Sequence, residues 1–227
     1  MSSCVAAIVT AAGLSRRMGK CKQLLDLGGK TALARCLETL LAGGVGEIVV
    51  VVGMNGGLVA AEAGRFPVRV VVNDDPAADM ASSVRAGRSA LSTKTSAAIV
   101  ALSDYPLVQP ATVVSLKESH IEEPDRIVIP CHGDRRGHPL LFPRMVLEEL
   151  QGNLTLRELV RCDPNRVRCI EVDDPGILYD MDTPEDYRRL CGLLADTPAQ
   201  RATMNSSIST RSCTRCIPSF SNSLPEP

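Results

Sequence analysis

The sequence predicts an α/β domain in which helices cover both faces of a mostly parallel sheet. Three observations point to it. Short β-branched runs alternate with longer amphipathic stretches over the first 195 residues, which is the pattern of repeated βαβ units. Several of those runs are rich in Val or Ile without alternation, as strands covered on both faces should be. The chain has 227 residues, 44% of them apolar, and a chain of this length buries roughly 70% of the surface its unfolded form exposes, so it needs no disulfide to hold a core.

The elements follow in order. A first strand is expected over residues 4–10, and a helix over 31–42, where Leu33, Leu37, Leu40 and Leu41 form one apolar stripe and Gly43-Gly44 supplies the stop. Strand 47–53 and helix 56–63 form the next unit, then strand 68–73 with helix 81–91, and strand 97–103 with helix 110–119. Strands 126–130 and 139–142, helices 144–150 and 155–161, and strand 167–172 follow. The last helix is expected over 184–194, because Thr183-Pro184-Glu185 places Pro in its first turn and acids near its positive end. From about Asp196 the sequence turns to Ser, Thr, Pro and Arg without a period, so 1–195 reads as the domain and 196–227 as a disordered tail. Deleting residues 196–227 should leave activity and melting temperature nearly unchanged, and a loss of several degrees would show that the tail packs on the domain.

Composition excludes several classes. With 25 basic and 26 acidic side chains the net charge is −1, which argues against a protein that coats nucleic acid. No apolar run reaches the 18 or more residues of a membrane span, and residues 1–10 lack the charged start and cleavage region of a secretory signal; cytoplasmic residence is the expectation. Cys4, Cys36, Cys131, Cys162, Cys169 and Cys191 show no ligand spacing and read as small, reduced core or near-core residues, and the close pair Cys213 and Cys216 lacks the second pair a zinc ribbon needs.

In an open sheet of this kind the ligand crevice lies at the carboxyl ends of the strands. The first such segment, Ala11-Ala-Gly-Leu-Ser-Arg-Arg-Met-Gly-Lys-Cys-Lys22, combines small residues that admit a close ligand with Arg16, Arg17, Lys20 and Lys22, which would offset polyphosphate charge. It is neither a dinucleotide fingerprint nor a P-loop. Asp104, in Ser103-Asp-Tyr-Pro after the fourth strand, is placed to hold a hard divalent cation through oxygen. Tyr179-Asp-Met-Asp-Thr-Pro-Glu-Asp leads into the last helix, whose start explains Thr183, Glu185 and Asp186 but not Asp180.

The string Thr10-Ala-Ala-Gly-Leu-Ser-Arg-Arg-Met-Gly-Lys-Cys-Lys-Gln-Leu-Leu resembles the N-terminal signature of the MobA-like nucleotidyltransferases, and most closely that of the molybdenum cofactor cytidylyltransferases. The resemblance covers roughly residues 4–194 and implies a Rossmann-like three-layer nucleotidyltransferase fold. It places Ala11, Ala12 and Gly13 against the nucleotide, Arg17 on phosphate, and Lys22 where charge builds on the α-phosphate. It implies Mg2+ held by Asp104 and Asp180, with Asp182 as the fallback. It implies that Asn73, Ser82 and Ser83 close over base and ribose, and that His138 lines the pterin side. Relatives usually read Gly-Met where this chain has Asp79-Met80, and Gly152-Asn-Leu-Thr-Leu-Arg157 departs from their later Gly- and Asp-rich segment.

By this resemblance the protein is a magnesium-dependent enzyme that transfers CMP from CTP to a molybdopterin-type cofactor and releases pyrophosphate. CTP follows from the Ala-Ala-Gly form shared with cytidylyl-transferring members, where guanylyl-transferring ones carry Gly-Gly. A molybdoenzyme or its maturation chaperone is the protein partner implied. Two alternatives share most of these parts: a nucleotidyltransferase using GTP or a sugar or polyol phosphate acceptor, and a non-catalytic chaperone for the cofactor.

Overall fold

The computed structural model describes residues 4–13, 21–75 and 79–195. Arg16, Arg17 and Lys20 of the basic loop, and the tail from residue 196, lie outside the described residues. The elements are β1 (Val5–Thr10), α1 (Ala32–Ala42), β2 (Ile48–Gly53), α2 (Gly57–Ala63), β3 (Arg69–Asn73), α3 (Met80–Ala90), β4 (Ala97–Leu102) and α4 (Pro110–Glu122). They continue with β5 (Ile127–His132), β6 (Arg135–Arg136), β7 (Leu140–Pro143), α5 (Arg144–Glu148), α6 (Leu156–Cys162), β8 (Val167–Glu171) and α7 (Pro184–Ala195). All seven expected strands and seven expected helices are present, and α4 runs to Glu122, past its expected end.

The sheet has eight strands in the order β3-β2-β1-β4-β7-β5-β6, with β8 against β5. β3, β2, β1 and β4 are parallel, β7 runs antiparallel between β4 and β5, and β8 is again parallel to β5. The three-layer, mostly parallel architecture expected from the sequence is therefore the one found. Successive β1 residues serve opposite cores. Val5, Ala7 and Val9 meet Leu33 and Leu37 of α1 and Val113 and Leu116 of α4 on one face. Ala6 and Ile8 meet Val84 of α3, Leu147 and Leu159 on the other. Both faces being dry explains why these strands read as unbroken apolar runs.

Local chemistry fixes the helix ends. Thr31 accepts a hydrogen bond from the amide of Ala34 to start α1. Gly44 follows its end at φ 73°, where a side chain would be strained. A Cβ on Gly43 would come 2.5 Å from Val113 of α4, so that glycine serves close packing and not an unusual dihedral. Thr183 and Asp186 exchange hydrogen bonds at the start of α7, as the motif predicts for a helix entry.

The cysteine expectation needs correction. Cys36 is buried, and Cys131 and Cys191 are partly so, but Cys4, Cys162 and Cys169 are exposed. Cys4 precedes β1, Cys162 ends α6, and Cys169 lies on β8 at the rim of the sheet, where the outer face meets solvent. Among the described residues no helix is long and apolar enough to cross a membrane.

Candidate active site

β1 is hydrogen-bonded to β2 on one side and to β4 on the other, so the chain's windings diverge between β1 and β4. Their carboxyl ends open the crevice that such a switch point creates. Ser103 ties the two ends together: its amide and its hydroxyl donate to the Thr10 carbonyl, at 3.3 and 2.9 Å. Ala11 continues from β1 with its amide bonded to the Val51 carbonyl at 2.8 Å, which leaves Ala12 and Gly13 at the mouth of the crevice.

Gln23 is a residue of the site's framework that sequence reasoning did not single out. It is 1% exposed, and its side-chain amide donates to the carbonyls of Gly13 at 3.2 Å and Ala11 at 3.4 Å. It thereby pins the far end of the basic loop to its near end. A Gln between Lys22 and two leucines carries no local signal of this role; only the tertiary contact reveals it.

Pinning Gln23 places its neighbour Lys22 between two acids. The Lys22 ammonium donates to Asp104 Oδ2 at 2.6 Å and to Asp182 Oδ1 at 2.8 Å, with the Lys22 side chain only 13% exposed. Burial alone would lower its pKa, but the charges and hydrogen bonds of Asp104 and Asp182 outweigh burial and raise it. Lys22 is therefore held charged and in place. Asp180 is raised above the ordinary carboxylate range by burial first, then by repulsion from Asp186, Asp182 and Asp104. Burial and the charges of Asp180, Asp104 and Asp182 push the Tyr105 phenol up to about 12. The structure thus gathers Lys22, Asp104, Asp180 and Asp182, and of the two acids in the Asp-Met-Asp motif it is Asp182 that binds the lysine.

The donor set suits a hard divalent cation. Burial first, and then the charges of Asp186, Asp182 and Asp104, disfavour the ionised form of Asp180, and added positive charge would offset the repulsion. Among the described residues no three acidic, His or Cys side chains enclose a metal by themselves.

Asn73 ends β3, and its amide donates to the hydroxyls of Ser82 at 2.9 Å and Ser83 at 3.1 Å. All three are buried. Asp79 caps α3, accepting from the Ser82 amide at 2.6 Å while the Ser82 hydroxyl returns a bond to the Asp79 backbone. The departure at Asp79 therefore has a local cause, an N-cap whose partner Ser82 lies three residues on.

His138 lies at a bulge. Cys131 pairs with Arg136 and Val128 with Leu141, so β6 and β7 run along β5 as one strand interrupted by extra residues at 137–139. The bulge turns the His138 ring against Tyr105, with centroids 4.9 Å apart, next door to Asp104. Burial lowers its pKa against the opposing pull of Asp104. His138 also lines a cleft of about 490 Å³ floored by Val100, Leu102, Ile129 and Phe142.

Against known proteins, residues 7–167 match the MobA-like NTP transferase domain. The chain is 36% identical over 199 residues to nicotine blue oxidoreductase of Paenarthrobacter nicotinovorans, covering 82% of this chain and 96% of that protein. It is 27% identical over 189 residues to the molybdenum cofactor cytidylyltransferase of Escherichia coli, covering 82% and 94%. The crystal structure of Rv0371c from Mycobacterium tuberculosis superposes with a TM-score of 0.75 at 29% identity, covering 85% of this chain and 99% of that one. A manganese complex of the same mycobacterial protein superposes with a TM-score of 0.68 at 26% identity, covering 84% and 99%. The lysine-bridged acids at the switch point, the sheet order and the family match agree, and the chain belongs to the MobA-like NTP transferase family.

Proposed function

We propose that the protein transfers CMP from CTP to a molybdopterin-type cofactor, a phosphate oxygen of the acceptor bonding to the α-phosphorus while pyrophosphate leaves. The observation that carries this reading is the Lys22 ammonium fixed by Asp104 and Asp182 at the carboxyl ends of β1 and β4. Such transfers need charge stabilisation and in-line positioning more than a protein nucleophile. Lys22 supplies positive charge that no longer has to be oriented during the reaction. Ala11, Ala12 and Gly13 leave room for the nucleotide, and Arg17 is the further phosphate ligand. Asn73, Ser82 and Ser83 hold the wall on the base and ribose side, and His138 faces the acceptor. Asp104 and Asp180 would hold Mg2+, which when bound neutralises phosphoryl oxygens. The likeness to the cytidylyltransferase of Escherichia coli supports the same assignment.

Asp180→Ala should cost more turnover than Asp182→Ala at saturating Mg2+, since the first removes a cation ligand and the second a partner of the lysine. Rates measured side by side check this, and the reverse order would move the metal to Asp182. CTP and GTP supplied at equal concentration should yield mainly the cytosine dinucleotide. The methyl of Ala12 narrows the space beside the base, and a contact of this size gives a preference on the order of 10- to 100-fold. Product analysis reads the ratio, and a guanine product in excess overturns CTP as the donor.

A second reading is favoured by one observation, the 36% identity to nicotine blue oxidoreductase, under which the crevice would serve electron transfer to an aromatic compound. The deciding experiment incubates the protein with CTP, Mg2+ and molybdopterin. Pyrophosphate released in step with a dinucleotide supports transfer. Absence of both, together with consumption of a nicotinamide reductant in the presence of nicotine blue, supports the oxidoreductase reading.

A further inference from the structure

The sheet ends in two unlike edges. β8 closes one side, paired only with β5, and it carries Arg168 and Glu171, the arginine held by Glu122 and Glu123. Charge along an edge deters the addition of another strand. β3 closes the other side, paired only with β2, in parallel and without a bulge over Arg69–Asn73. Among the described residues no strand lies against its outer side, so that side presents backbone N–H and C=O groups with no strand to pair with.

The side chains of β3 do little to protect it. Its middle is Val70-Val71-Val72, with no Pro or charge among the three. Val72 is 54% exposed. By alternation it shares the face of Val70, which packs with Val59 and Ala63 of α2, and Leu58 on that helix is 75% exposed. The charges stand at the two ends instead. Arg69 opens the strand, Asp74 and Asp75 follow it, and all three are exposed.

This pattern is complementary to itself in one direction. If two copies pair antiparallel about Val71, Val70 meets Val72 of the second copy, and Arg69 meets Asn73 and lies diagonal to Asp75, within reach of a long side chain. Parallel pairing in register would set Arg69 against Arg69 and Asp74 and Asp75 against their own copies, which repels. The favoured direction is also the one a twofold axis generates, with the same patch used by both copies.

We propose that β3 is the interface of a homodimer, pairing antiparallel with β3 of a second copy about a twofold axis at Val71 and so continuing one sheet through both molecules. The interface stands apart from the transfer reading and holds whatever reaction the crevice performs.

The test measures the mass of the full-length protein by light scattering and sedimentation as its concentration rises. The particle mass should climb to twice that of the single chain, and amide exchange across residues 69–73 should slow in step. Val72→Lys sets two lysines diagonal to each other across the axis at a position that is already exposed, so it should abolish the dimer while the circular dichroism spectrum stays unchanged. Arg69→Asp alone and Asp75→Arg alone should each weaken the dimer, because each puts like charges on the diagonal. The two changes in one chain should restore it. A chain that stays monomeric overturns the proposal, whether the edge is then left to solvent or to a different protein. So does a dimer that survives Val72→Lys, or a charge swap that restores nothing.

Discussion

Asp104→Ala should reduce the proposed nucleotidyl transfer on the order of 100- to 1,000-fold, the range found when one preorganised electrostatic group is removed from a transition state. The residue follows β4 in a turn, its side chain is 17% exposed, and its contact is with the Lys22 ammonium, so it adds little to either core. Its removal takes away the 2.6 Å contact to the Lys22 ammonium and deletes one of the two carboxylates assigned to the cation. Pyrophosphate release at saturating CTP and Mg2+ measures the first effect, and a thermal melt should show only a small change. Activity close to that of the unaltered protein at saturating Mg2+ would remove Asp104 from the site.

Gly176→Ala should have the largest effect on stability. A Cβ there would come 2.1 Å from the Leu107 carbonyl oxygen and 2.8 Å from Asp174 Oδ1, and backbone cannot yield as a side-chain tip can. Asp174 is itself committed. It is 2% exposed and accepts from the Gln109 amide, the Thr112 hydroxyl and the Gly176 amide at 2.8, 2.6 and 2.9 Å. The added methyl forces the turn Pro175–Leu178 away from the 104–108 segment and breaks part of this network. A cost of roughly 3 kcal/mol is expected from overpacking together with strained buried hydrogen bonds. For a domain of this size that lowers Tm by about 6–12 °C, readable in a melt. An unchanged Tm would mean that the two segments separate without penalty.

The central fold was legible because its physics is local. β1, β2 and β4 are dry on both faces and read as apolar runs, and α1 and α7 carry their start signals in Thr31 and Thr183. β6 was not legible, since two exposed arginines in a hairpin have neither length nor apolar pattern. The residue types that cluster at the strand ends, Lys22, Asp104 and the Asp-Met-Asp motif, were legible. Its pairing was not: Lys22 and Asp182 are 160 residues apart, and nothing in a motif with acids two positions apart says which one meets the lysine. Asp79 showed the converse, a departure from the family pattern that structure explains as a helix cap.

The bulge at 137–139 has a consequence for how the chain can change length. The His138 amide donates to the Ile177 carbonyl at 3.0 Å, and a Cβ on Gly137 would come 2.5 Å from that same oxygen. The bulge and the Pro175–Leu178 turn are thus clamped together, and the turn leads directly to Asp180 and Asp182. Any insertion at 137–139 is transmitted to the acids three and five residues beyond Ile177. The neighbouring hairpin tip at Gly133 and Asp134 is exposed and touches none of this. Natural or engineered variation in loop length should therefore accumulate at 133–134 and stop at 137, a boundary three residues wide between tolerant and intolerant chain.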